Sequence, residues 1–196
     1  MTKPTFDLNK RPLSWSAISS FEYDPEQWYR RYVLKQEDPA SKEMLFGKYY
    51  GEMFASDPNH VPHLKRGQIF EYELKAKLKN IPLIGFIDSY TPHTELEEYK
   101  TGVKAWTQKR ADEHGQIDMY LLMLYLMHGV KPEDVSCRVH WLPTKETGDF
   151  RIVFTDPHNP IVHTFETKRT LSQVLKFGVR ITKTVEAMRA YAENHD

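Results

Sequence analysis

The chain has 196 residues, and its 27 Lys+Arg are balanced by 27 Asp+Glu, so the formal net charge is zero. That length fits one domain, and a composition 40% hydrophobic and 13% aromatic supplies a sizeable core and excludes a disordered chain. Neutrality gives no broadly basic face for nucleic acid, so any such contact must come from a local patch.

Taken in order, residues 1–13 are polar and predict a flexible N-terminal arm, and residues 14–196 predict a single domain. Ser16 is positioned to cap a helix from Ala17 to about Tyr23. Asp24-Pro25 reads as a second start, an N-cap followed by proline at the first helical position. Trp28, Tyr29, Tyr32 and Val33 recur at helical spacing. A third helix is predicted over Lys42 to Phe54, with Leu45, Phe46, Tyr49, Tyr50, Met53 and Phe54 as its apolar arc. The period then changes to two. Phe70, Tyr72, Leu74, Ala76 and Leu78 alternate with Glu71, Glu73, Lys75 and Lys77, the pattern of a half-buried strand. Lys79-Asn80 turns into a second strand, Ile81 to Tyr90, and Thr91 to Thr94 turns into a third, Glu95 to Lys100. The longest helical pattern runs from Thr107 to His128, ended by Gly129 with Pro132 beyond. Two or three more strands follow, over Val135–Leu142, Phe150–Thr155 and Ile161–Thr167, and a helix from about Leu171 to Glu193 closes the chain. The order predicts an α/β fold with a mixed central β-sheet flanked by helices.

The chemistry concentrates on the second and third strands. Asp88 ends an otherwise apolar strand, and Glu98 and Lys100, two apart, share one face of the next. If the intervening turn makes these strands antiparallel neighbours, Asp88 and Glu98 lie almost opposite each other, about 5 Å apart. Carboxylates so close repel unless a cation lies between them, and all-oxygen ligands point to Mg²⁺ or Mn²⁺. An ammonium beside that cation suits metal-assisted phosphodiester hydrolysis. The plainer alternative makes Asp88 a turn residue and Glu98/Lys100 a solvated face.

Gly85-Phe86-Ile87-Asp88, then Glu98-Tyr99-Lys100-Thr101-Gly102, then Gln116-x-x-x-Tyr120 resembles three motifs of the RecB-like branch of the PD-(D/E)XK nuclease superfamily. Leu13 to Phe21, Asp24-Pro25 and Trp28 to Tyr32 resemble that branch's opening helices, and Leu45-Phe46-Gly47 through Gly51-Glu52 falls where its first metal-binding motif is expected. The resemblance implies a restriction-endonuclease-like core in which Asp88, Glu98 and the Tyr99 carbonyl hold the metal. It implies that Lys100 positions the attacking water, and that Gln116 and Tyr120, one helical turn apart, reach toward the nucleic acid or the metal-bound water. The implied products carry 5′-phosphate and 3′-hydroxyl ends.

Two departures stand out. The metal-binding histidine of many members is replaced by Gly51. Glu52, about 20° beyond Leu45 on a helical wheel, either takes over as ligand or is a surface glutamate. The iron–sulfur members carry cysteine where Asp24 stands, and with Cys137 alone in the chain no iron–sulfur cluster is expected. His60-x-x-His63 has a spacing open to metal ligation but no evident third ligand, and Cys137 reads as a core thiol.

Lys100, Lys104, Lys109 and Arg110, with no acidic residue from Tyr99 to Ala111, offer grip on flanking phosphates, and Trp106 offers a face for stacking on a base or a packed core residue. Two functions are therefore in view. One is a Mg²⁺- or Mn²⁺-dependent deoxyribonuclease, an exonuclease of recombination, repair or phage replication, with DNA and a recombination or replication protein as partners. The other is a nuclease-like fold that only binds nucleic acid or protein. No P-loop pattern accompanies it. The longest apolar stretch, Met119 to Met127, is too short to span a bilayer, and no apolar signal segment opens the chain. The expected setting is the bacterial cytoplasm, with the chain encoded by host or phage.

Overall fold

Two-residue alternation and tight turns produce three antiparallel strands, β1 (Ile69–Leu78), β2 (Ile81–Thr91) and β3 (Glu95–Gly102). The computed structural model describes residues 6–8, 11–36, 39–57, 61 and 63–195. The first turn closes through Lys79, whose φ of 53° is left-handed. In the second, the Thr94 N–H donates to the Thr91 carbonyl at 3.1 Å. β3 then pairs in parallel with β4 (Ser136–Glu146), from Glu95 opposite Ser136 to Gly102 opposite Pro143. A parallel pair requires a crossover, and α4 (Gln108–Asp112) and α5 (Gly115–His128) supply it. β6 (His163–Thr167) runs antiparallel to the first part of β4, and β5 (Ile152–Phe154) to its end. The result is the expected mixed sheet, six-stranded and flanked by helices.

α5 buries residues on every side, among them Ile117, Met119 and Leu121 to Leu124, as a helix enclosed by protein must. It lies between β1–β2 and α6 (Leu171–Asn194). α6 opens with a reciprocal cap in which Thr170 and Gln173 satisfy each other's backbone N–H groups. α1 (Trp15–Tyr23) and α2 (Pro25–Tyr32) pack on each other and on α6, and Trp28 is fully buried. α3 (Lys42–Ser56) contacts β3 and β5 over a second, smaller core of Phe54, Val61, Leu64, Leu142 and Phe154.

The structure corrects four sequence expectations. Ser14, not Ser16, caps α1, its side chain accepting from the Ala17 N–H. The described part of the N-terminal arm is packed: Leu8 and Leu13 are buried, Leu13 exchanges backbone hydrogen bonds with Pro82 and Ile84, and the Phe6 ring meets Trp28 edge-on at 5.0 Å. The apolar arc of α3 is narrower than its pattern, because the helix covers only a strand end and a short strand. Phe46, Tyr50 and Phe54 face the small core, while Leu45 and Tyr49 are more than half exposed. The long helical pattern from Thr107 breaks at Glu113–His114, where Gly115 passes so close to Trp15 that a Cβ would lie 2.2 Å from its ring.

Two glycines thus predict opposite outcomes. Gly115→Ala should lower the urea midpoint by an amount equivalent to about 1–3 kcal/mol, because Trp15 is backed by Phe177 at 5.9 Å and must shift. Gly51→Ala, inside α3 with open space around it, should raise stability by about 0.5–1 kcal/mol. Parallel urea titrations of both variants check the pair.

Candidate active site

The β2–β3 ladder runs from Thr91–Glu95 to Ser89–Glu97, and the next step brings Asp88 and Glu98 opposite each other, as the antiparallel reading requires. Regular backbone pairing stops there. The Asp88 carboxylate instead accepts the Tyr99 N–H at 2.6 Å. On the other side of β2, Phe70–Ser89 and Tyr72–Ile87 are paired but the step between them, Glu71 opposite Asp88, is not. Glu71 holds a left-handed φ of 48°. Ile87 and Tyr90 would face opposite ways on an unbroken strand, yet both are buried in the main core. The swap at this step leaves Asp88 and Glu71 lining a cleft instead of either core.

That cleft has a volume of about 840 Å³. Gly47, Lys48, Gly51 and Glu52 wall it from α3, and Glu71, Asp88, Tyr99 and Lys100 from the sheet. α3 can approach because Gly47 has no side chain: a Cβ there would lie 3.2 Å from Thr101 Oγ1. Glu98, 1% exposed, sits beneath the floor and is reached through Lys100, whose Nζ is 2.5 Å from Glu98 Oε1. Lys100 also donates to Gln116 Oε1 at 2.9 Å, the Gln116 amide donates to the Tyr120 hydroxyl at 2.5 Å, and that hydroxyl donates to the Phe86 carbonyl. Gln116 and Tyr120, expected one helical turn apart, are joined in this chain of bonds. Tyr120 is buried, and together they fix the amide so that its oxygen faces the ammonium. Gly85 leaves room for this chain, since a Cβ there would stand 2.9 Å from the Tyr120 ring.

Burial sets the electrostatics. Desolvation raises the Glu98 pKa to about 8, reinforced by Asp88 and opposed by Lys100. Asp88 is also raised, by desolvation against the pull of Lys100 and the Tyr99 N–H. Desolvation works against the Lys100 ammonium, but Glu98 and Asp88 outweigh it and hold its pKa above the ordinary value. The opposite face of β3 carries its own balance. Glu97, fully buried, accepts from Arg138 at 2.6 Å and pairs with His140 at 2.7 Å, and Glu95 pairs with Lys65 at 2.5 Å. Glu98 has no such partners on that side.

Asp88 and Glu98 offer only oxygen donors, and Glu98 Oε2 is buried with no hydrogen-bond partner. Both features fit a hard divalent cation. Among the described residues no three His, Cys, Asp or Glu side chains converge into a ready-made cage. Glu52, an exposed residue, lines the cleft. Trp106 does not offer itself for stacking. It is 8% exposed, with the Arg110 guanidinium 4.2 Å over its ring and His114 edge-on at 5.0 Å. Lys104 and Lys109 are exposed, Lys109 3.9 Å from Glu113. His60 lies outside the described residues, and His63 hydrogen-bonds Asn159 at 2.9 Å. Cys137 is buried, its thiol pushed up to about 12 by desolvation. Asp24, standing where a cluster cysteine was at issue, caps α2. No helix among the described residues is long and apolar enough to cross a membrane.

Glu71 was missed because strand alternation assigns it to the solvent side with Glu73. Counting back from the Lys79-Asn80 turn would have found it, since Leu78 opposite Ile81 puts Glu71 opposite Asp88.

No protein-family model matches the chain, and no curated protein matches it. Among solved structures, its fold is similar to that of a candidate exonuclease from Eubacterium rectale, with a TM-score of 0.61 at 14% identity over 93% of this chain and 83% of that one. An alkaline exonuclease from Laribacter hongkongensis gives 0.49 at 11% identity over 95% and 93% of the two chains. A phage-related exonuclease from Haemophilus somnus 129PT gives 0.44 at 12% over 91% and 80%. At these identities the likeness is one of fold.

His114, at the N-cap of α5, is held neutral: desolvation, then Lys100 and Arg110, press its pKa down to about 3 from an ordinary 6.5. The unfolded chain binds that proton first, so this contribution to stability is full above pH 6.5 and is lost as pH falls toward 3, by at most about 1.4 kcal/mol per unit. Glu98, with its raised pKa, has the opposite slope below pH 8, so the comparison must be between variants. His114→Gln should lose less stability than the parent between pH 7 and pH 5 in urea titrations; equal losses would contradict this account.

Proposed function

We propose that this chain is a divalent-metal-dependent nuclease that hydrolyses DNA phosphodiester bonds, acting as an exonuclease of the RecB-like PD-(D/E)XK type. The observation that carries the reading is the meeting of Asp88, Glu98 and Lys100 at one end of the cleft, with Glu98 Oε2 left unsatisfied beneath it. The fold shared with a candidate exonuclease at a TM-score of 0.61 favours the same class.

Asp88, Glu98 and the Tyr99 carbonyl would hold Mg²⁺ or Mn²⁺, with Glu52 within the same cleft. When bound, the ion supplies Lewis acidity and an acidified water. The remaining work falls to the chain. Lys100 presents a protonated amine where charge builds on the phosphoryl oxygens during in-line attack, and fixed donors of this kind act without reorganisation. Gln116 keeps that amine from rotating away, because its amide cannot flip without breaking the bond to Tyr120. Exposed Lys104 and Lys109, which follow β3, would contact flanking phosphates, an electrostatic grip without base specificity. DNA is the partner this arrangement calls for. A role in recombination, repair or phage replication beside a second protein, in a bacterial cytoplasm, accords with that chemistry.

Purified protein should degrade linear DNA with Mg²⁺ or Mn²⁺, spare closed circles, and stop when the metal is chelated. Asp88→Asn and Glu98→Gln should fall to background, and Lys100→Ala should lose about 10²–10³-fold in rate. Inertness on linear and circular, single- and double-stranded DNA alike would leave a binding module. A fully active Lys100→Ala would remove catalysis from this site.

A further inference from the structure

Glu71 belongs to none of the motifs that single out Asp88, Glu98 and Lys100. Yet it stands across from Asp88 at the one step where β1 and β2 fail to pair, and it lines the same cleft. Its φ of 48° is a conformation that an L-residue other than Gly, Asn or Asp adopts uncommonly. A glycine would hold that backbone more easily. Glu52, Glu71 and Asp88 line the cleft together with Lys48 and Lys100, and Glu98 lies beneath it, paired with Lys100. Glu98 Oε2, beneath that cleft, is an almost wholly buried acceptor with no hydrogen-bond partner. A cation is the ligand that an acceptor so placed lacks.

We propose that Glu71 is a further ligand of the cleft's divalent cation, acting from β1 across from Asp88. The inference rests on the metal-dependent reading above and adds a residue to it. Lys100 already occupies one oxygen of Glu98, so the ion must draw on the cleft's other carboxylates, and Glu71 is the one on the strand adjoining Asp88. Its exposure to the cleft leaves the side chain free to swing toward an entering ion.

Mn²⁺ binding, followed by calorimetry and by the electron paramagnetic resonance signal of free Mn²⁺, separates the two claims. The parent should bind Mn²⁺, Asp88→Asn should abolish binding, and Glu71→Gln and Glu71→Gly should each weaken it at least tenfold. Glu71→Gly should unfold in urea at the same or a higher midpoint than the parent, so its metal defect cannot be charged to misfolding. Parent-like Mn²⁺ affinity in both Glu71 variants, with Asp88→Asn defective, would overturn the role of Glu71 alone. A parent that binds no Mn²⁺, or an Asp88→Asn that binds it fully, would overturn the metal-dependent reading and this inference together.

Discussion

A buried carboxylate needs a counter-charge, and the centre of this molecule is arranged around meeting that need at Glu98. Removing such a group from water is costly unless charge and hydrogen bonds replace the lost hydration. Lys100 replaces half of it, at one oxygen. Lys100 is itself held by Gln116, Gln116 by Tyr120, and Tyr120 by the Phe86 carbonyl on the strand that carries Asp88. The chain of bonds closes a loop from β3 through α5 to β2. The absence of a side chain at Gly85 is part of the same device, since it lets the Tyr120 ring lie against the strand. What reads in sequence as three separate short motifs is, in space, one hydrogen-bonded circuit around a single carboxylate.

The two faces of β3 show how the circuit is kept selective. Glu95 and Glu97 point away from Glu98 and are matched by Lys65, Arg138 and His140. Glu98 shares its face with one charged residue of β3, Lys100, and keeps one oxygen unpaired. Three acidic residues within four positions therefore divide into two that brace the sheet and one that stays electrostatically unfinished. Period-two geometry makes the division.

Much of this was legible in the residues themselves. Asp24-Pro25, Gly129 and the apolar/charged alternation of β1 each act through one dominant preference: the first starts a helix, the second ends one and the third forms a strand where expected. The Asp88–Glu98 opposition followed from a short turn between two strands. What stayed hidden depended on contacts between distant segments. Trp15 against Gly115 breaks a helix that periodicity would continue. Trp106, open in sequence to stacking or to packing, packs beneath Arg110. Leu13 joins β2 through a bridge to Leu83 that no local pattern announces. Glu71 escaped because alternation assumes an unbroken strand, and the break lies at the centre of interest.

The parallel pairing of β3 with β4 has a consequence for how the molecule assembles. Antiparallel neighbours β1, β2 and β3 are joined by tight turns, so their contacts close small loops and bear little entropic cost. β4 can join only after the chain has passed through α4 and α5, a longer and slower closure. On a ribosome the meander emerges first, bringing the acidic residues of neighbouring strands together while the helix that steadies Lys100 is still to come. Maturation of the centre is thus tied to docking of α5, and a chain interrupted before that helix would carry the charges without their restraint.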